Sequence, residues 1–489
     1  MKLKKINKKI IAVILIICIS LISTTAYGIY KIFTIGSKSL TFTINAARTN
    51  PLTNLNAPEL IDGMIPVVWD ETNSKWKVVS STDTSWYDYS EGTAKWANIM
   101  MADTTATDTN VGALIDESNL GSMFVWIPKF EYKITYYTDS SRTVISPSYT
   151  RYGKIDVNLV SKATTTATSG FTIHPAFQNG TSNGFLNGEW DSEIGGFWMS
   201  KFELSGSDTT LKSIPNVSSK NLINIGGTTS NKGAYQISKD QTYGITNNAA
   251  ALNSHMTKNS EWGAVSYFSY SSFGLMGIQP DCNNYKNSSI EICTGYSGGS
   301  STAQTVSSIN SANVYNTSIG VRASTTGNIY GVYDMNGGRN EFTSAYLTGT
   351  TDLTEEISTS VNSKYYTSYS QLPSSGSSDY AKLIQVSKPG DGLGETMLWD
   401  LCCDGLATGT NRDLVYLSTT NNHFLRGGAM TNGLDSLDNA VTTGMGSGTF
   451  SFVSDPCESN SYRGFRTVLT IEWFYIIENV SLLGELSYN

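Results

Sequence analysis

Residues 330–346 read YGVYDMNGGRNEFTSAY, residues 425–430 read LRGGAM and residues 463–469 read RGFRTVL. The double glycines, Gly337-Gly338 and Gly427-Gly428, allow backbone shapes that a side chain would block. Phe465, and Trp262 further back in the chain, read as core aromatics. Arg426 and Arg466 place cations beside apolar residues. A buried arginine needs a carboxylate partner, and Glu261 and Glu341 are the candidates at hand. At least one Arg–Glu pair is expected among these four. With Gly464 these residues read as framework, so they bear on fold more than on chemistry.

Outward from these stretches, the 489 residues are 39% hydrophobic and 11% aromatic, enough for a sizeable core. Bulk disorder is therefore excluded. Charged residues make up only 15%, against about 25% in ordinary soluble domains. Gly, Ser, Thr, Asn and Tyr fill the gap, which favours short strands and turns over a helical bundle. The net charge of −8 leaves no basic face for phosphates, so nucleic acid is not an expected partner.

The chain opens MKLKKINKK, with five lysines in nine residues, followed by an apolar run from 10 to 22 that stays moderately apolar to about 33. Lysines ahead of an apolar run keep the N-terminus cytoplasmic, so the rest is exported. Two readings stay open, an uncleaved membrane anchor and a signal peptide cleaved near Ala26 or Gly28. The expected localisation is the cell membrane, with secretion if the signal is removed.

The expected organisation is an anchor or signal (1–33), a polar stalk (34–58), a Trp/Tyr-rich β region (59–119), a main domain (120–470) and an apolar extension (471–489). DETNSK (70–75) lies between β-rich runs and reads as a hairpin turn. A helix is expected over about 257–269, capped by Ser or Asn at 259–260. Cys282 and Cys293 flank a short polar loop and form the disulfide candidate, worth roughly 2–3 kcal/mol. Either Cys402 or Cys403 is placed to pair with Cys457, leaving one thiol over.

Five segments in order resemble the formylglycine-generating-enzyme and sulfatase-modifying-factor superfamily. They begin at GSMFVWIPKFEYKI (121–134), GGFWMSKFELS (195–205) and KNSEWGAVSYFS (258–269). The stretch 330–346 and the LRGGAM/RGFRTVL pair complete the series. The resemblance implies an α+β fold, an elaborated C-type-lectin-like domain that is β-rich with few short helices, preceded here by the apolar anchor helix. Oxidases of that superfamily use two nearby cysteines between the RGG and GFR motifs to bind copper. This chain holds only Cys457 in that stretch, and one thiolate supplies neither a two-cysteine copper site nor a redox pair. The resemblance therefore implies the fold without the family's catalysis.

Other chemistries find little footing. His174, His255 and His423 are far apart in sequence, and no Cys/His run has zinc spacing. Calcium is the open cofactor, because the resemblance places an oxygen-rich turn at Gly337–Glu341. Gly338 stands there in place of the family's Asn, and Arg339 adds a positive charge. Glu189, Asp191 and Glu193 read as a solvated acidic turn. No G-x-S-x-G elbow stands after a strand-like run with a fitting His partner, and the Gly-rich 444–448 stretch lacks the Lys-Ser/Thr of a phosphate loop.

The segment between Gly428 and Gly464 is rich in Asn, Thr, Gly and Ser, which suits adaptable recognition of a protein or glycan. Met430, Asn432, Phe450, Phe452 and Tyr462 are its candidate ligand contacts, unless Phe450 and Phe452 pack inward. The expected function is non-catalytic ligand binding by an anchored bacterial surface protein. Two alternatives remain: a formylglycine-generating-type oxidase or related enzyme with a displaced site at Cys457, Cys402 or Cys403, and a pilin-like or phage-encoded structural subunit.

Overall fold

The computed structural model describes residues 57–136, 153–180, 190–217, 219–220, 223–226, 232–246, 249–277, 314–347, 363–369, 388–393, 423–428, 448–455 and 463–471. For residues 32–35, 38–41, 136, 153, 415–416 and 453–455 it describes the backbone alone. The N-terminal apolar run, all six cysteines and the extension after residue 471 lie outside the described residues.

Among the described residues the fold is α+β and mostly β, with two α-helices, Ala234–Asp240 and Asn259–Tyr270. The largest sheet has eight strands. From one edge to the other they are His255–Met256, Thr467–Leu469, Gly196–Ser200, Met123–Pro128, Asn98–Met101, Met64–Asp70, Lys75–Val78 and Leu114–Ile115. Its pairings are all antiparallel. Residues 59–119 thus share a sheet with strands of the 120–470 region, and Trp96 and Phe465 belong to one continuous core.

The hairpin around DETNSK has a local cause. Asp70 Oδ1 accepts the Asn73 amide at 3.0 Å, closing a side-chain turn. Trp69 then faces Trp76 across the strands, their rings edge to face at 5.5 Å.

A second sheet carries the glycine-rich motifs. Asn340–Leu347 pairs antiparallel with His423–Gly427, which pairs antiparallel with Gly448–Asp455. The other edge of Asn340–Leu347 is shared: Arg463–Phe465 runs parallel to its start and Thr367–Tyr369 parallel to its end. Phe465 therefore belongs to the second sheet and Thr467 to the first, with Arg466 as the single residue between them.

The Asn259–Tyr270 helix is buried on every side, and its faces pack against both sheets. Its start differs from the Ser or Asn cap expected from sequence. Lys258 is the N-cap residue, and Glu261 Oε2 reaches back to accept the Lys258 amide at 2.9 Å. That frees the Asn259 side chain, which bonds across to the second sheet.

Candidate functional site

The segment between Gly428 and Gly464 leaves and rejoins the second sheet at one end, with Gly448–Asp455 running through the sheet in between. Gly427 pairs with Gly448, so the flanks of 429–447 leave the sheet side by side. Arg463 pairs with Asn340, one position from the Glu341–Arg426 pair, so the chain re-enters at the same end. Met430, Asn432, Tyr462 and Cys457 lie outside the described residues.

Both double-glycine turns meet here. Gly337 and Gly338 have φ of 81° and 70°, and Gly427 and Gly428 have 80° and 73°, all in the left-handed region. The Gly337 amide donates to Gly427 O at 3.1 Å, locking one turn to the other. At Gly338 an added Cβ would fall 2.2 Å from Glu203 Oε1. That oxygen instead accepts the Arg339 amide at 2.7 Å, so the carboxylate occupies the space where an Asn side chain would begin.

A register shift between Arg426 and Gly427 leaves residues 449–451 of the facing strand out of the ladder. Their carbonyls take side-chain donors instead. Trp262 Nε1–H donates to Thr449 O at 2.7 Å, and Arg426 Nε–H to Ser451 O at 3.1 Å. The Arg426 guanidinium also donates to Asp391 O at 2.9 Å, to Gly392 O at 2.8 Å and to Asn259 Oδ1 at 3.3 Å. It lies over the Trp262 ring, 5.7 Å from the centroid. Sequence reasoning did not supply Asp391 or Gly392, because a backbone carbonyl leaves no mark on residue identity, and it gave Asn259 only as a helix cap.

Phe450 and Phe452 are fully buried. Phe450 is part of the main core, and Phe452 faces Phe424 with centroids 6.2 Å apart. This corrects their candidacy as ligand contacts. Both faces of the strand are covered, since Thr449 and Ser451 are buried as well, so neither ring has surface to offer.

Arg466 and Glu341 form the buried Arg–Glu pair expected from sequence, with Nε–H donating to Oε1 at 2.7 Å. Glu261 takes different partners: His255 Nε2 stands 2.9 Å from Oε1, and Lys258 Nζ stands 3.8 Å away. Burial works against its ionisation, yet His255 and Lys258 hold its carboxyl below the ordinary value. At Glu341 burial wins. Its carboxyl is pushed well above the ordinary value, with Glu203 and Asp334 adding to the rise and Arg466 opposing it. Glu341 Oε2 and Glu203 Oε2 are buried and accept no hydrogen bond. Among the described residues no three His, Cys, Asp or Glu side chains gather as a metal-binding group.

All three histidines are buried in the core. Burial lowers His174 to about 3 and His423 to about 4. His174 sits among Phe130, Tyr132, Phe177 and Tyr267. In the acidic turn Asp191 stays largely exposed beside Lys364, at 3.2 Å, while Glu193 pairs with the buried Lys129; Glu189 lies outside the described residues. Compared with known proteins, the chain matches no family model and no curated sequence.

Proposed function

We propose that this chain is an exported, membrane-anchored bacterial surface protein whose folded region binds a protein or glycan and performs no chemistry. The observation that carries the reading is the mounting of the segment between Gly428 and Gly464. Its flanks are fixed by the Gly337–Gly427 bond, the Trp262–Thr449 bond and the four acceptors around Arg426. A polar segment whose two flanks are held by buried hydrogen bonds keeps the ordering cost of binding low. The lysine-led apolar N-terminus supports export and anchoring.

The order of the five motifs supports a C-type-lectin-like domain of the sulfatase-modifying-factor kind. The lone cysteine of the segment argues against copper oxidation there. Calcium remains part of the reading as a structural ion near Glu341. Neither a phosphate backbone nor a transition metal has a place in it.

The test uses the full chain in detergent and a variant with 429–447 replaced by Gly and Ser at equal length. Both are applied to a glycan array and to immobilised surface proteins, with metal content and free thiols measured on the same samples. Binding that the replacement abolishes, with no transition metal bound, supports the reading. Stoichiometric copper or iron with a reactive thiol overturns it in favour of a displaced redox site. Isolation as a long polymer overturns it in favour of a structural subunit.

A further inference from the structure

Lys201 is the last residue one would expect beneath the eight-stranded sheet. It follows the Gly196–Ser200 strand directly, and its side chain is fully buried. Its Nζ lies 2.8 Å from Asn98 Oδ1, 2.7 Å from Ile329 O and 2.9 Å from Gly331 O. The rings of Trp76, Tyr333 and Phe202 enclose it, with centroids 5.1, 5.2 and 5.9 Å away. Among the described residues it makes no ion pair with a carboxylate. Asn98 is equally buried. Its amide orientation is fixed, because Nδ2 donates to Trp96 O at 3.0 Å and to Tyr330 O at 2.9 Å. The carboxamide oxygen therefore has to face the lysine.

We propose that Lys201 and Asn98 are joined, in the mature protein, by an intramolecular isopeptide bond that the fold forms on itself. The Nζ–Cγ bond forms, the Cγ–Nδ2 bond breaks, and ammonia leaves. The proton released by Nζ goes to the departing nitrogen, so no oxidant, metal or other reactant is consumed.

The surroundings favour each part of the step. A charged amine buried without a carboxylate is costly, and burial alone pushes Lys201 well below its ordinary value. A neutral amine keeps two N–H groups, which the Ile329 and Gly331 carbonyls accept. Asn98 Oδ1 is the third acceptor around Nζ, at 2.8 Å, and this contact sets the carboxamide against the amine. The ring walls exclude the water that would compete, and fixing both groups supplies the effective concentration that a free amine and amide lack.

The two residues also flank one strand. Asn98 pairs with Val125 of Met123–Pro128, while Ser200, next to Lys201, pairs with Phe124 of the same strand. The bond would strap the two outer strands together across the middle one.

Peptide mass spectrometry of the full chain tests this. A branched peptide joining the segments that contain Lys201 and Asn98, lighter than their sum by one ammonia, is the expected result at near-complete occupancy. An Asn98→Ala chain should give linear peptides only. Linear peptides from the unaltered chain overturn the proposal, as does loss of ammonia confined to an unbranched Asn98 peptide. The decisive digest is made on the unaltered protein, so the test does not depend on whether the variant folds.

Discussion

Arg466 and Glu341 meet across 2.7 Å with both side chains buried, and the contact ties two sheets together. Glu341 lies on the strand that pairs with Arg463–Phe465 in the second sheet. Arg466 is the residue by which the chain crosses to the first, where Nη1–H donates to Ser200 O at 3.3 Å. Removing one partner of such a pair strands the other in the core. Arg466→Met is expected to destabilise the fold by about 3–5 kcal/mol. Glu341→Gln, which keeps an acceptor for the guanidinium, should cost about 1–3 kcal/mol. Denaturant titration at constant m-value reads both, and equal effects would contradict the asymmetry.

The buried histidine in the second sheet gives a signed pH dependence. His423 is lowered from 6.5 to about 4 by burial. As pH falls, the unfolded chain takes up this proton first. The contribution is thus intact above pH 6.5 and is lost between 6.5 and about 4. Relative to a His423→Leu chain, the protein should lose about 1.4 kcal/mol per pH unit across that window. Parallel stability–pH curves would refute the assignment.

Asp391 should show the reverse. Burial raises it from 3.8 to about 6, against the Lys388 and Leu393 amides and Arg426. The folded state holds this proton more tightly, so the contribution is full below pH 3.8 and lost as pH rises through about 6. Against Asp391→Asn, stability should fall by about 1.4 kcal/mol per unit over that range. Chemical denaturation at four or five pH values separates this slope from the histidine's.

Gly338 faces Glu203 Oε1 with a positive φ. Gly338→Asn should cost up to about 1 kcal/mol from the backbone, since Asn tolerates the left-handed region, and more from displacing the carboxylate that accepts the Arg339 amide. A thermal melt of the variant within error of the parent would show that the turn relaxes freely.

Core and contact roles separate by mutation. Phe450→Ala and Phe452→Ala should each lower stability by about 3–5 kcal/mol. Ligand binding of the remaining folded protein should stay intact, as it should in Cys457→Ala. Titration calorimetry at a temperature where each variant is folded decides this; a binding loss without a stability loss would return the phenylalanines to the ligand surface.

How much was legible in the sequence varied with the kind of contact. The Asn259–Tyr270 helix and the 70–75 hairpin carried local signals, an apolar run behind a polar cap candidate and a turn residue, and both lie within a residue or two of expectation. The Arg466–Glu341 pair was legible as chemistry, since a buried arginine demands a partner. Arg426 was not, because it is satisfied mainly by backbone oxygens from distant stretches. Phe450 and Phe452 misled because a strand covered on both faces loses its alternation. Lys201 and Asn98 gave no warning at all: 103 residues separate them, and only the sheet brings them together.

The passage of the chain through Arg466 also bears on when this protein can close. Thr467–Leu469 is the strand that joins His255–Met256 to Gly196–Ser200, and it comes late in the sequence. A chain made or threaded from its N-terminus must keep the Gly196–Ser200 edge open until some 270 further residues have emerged. Pairing at such separation is slow and leaves strand edges open to self-association. The eight-stranded sheet is therefore completed only when Thr467–Leu469 arrives, late in synthesis.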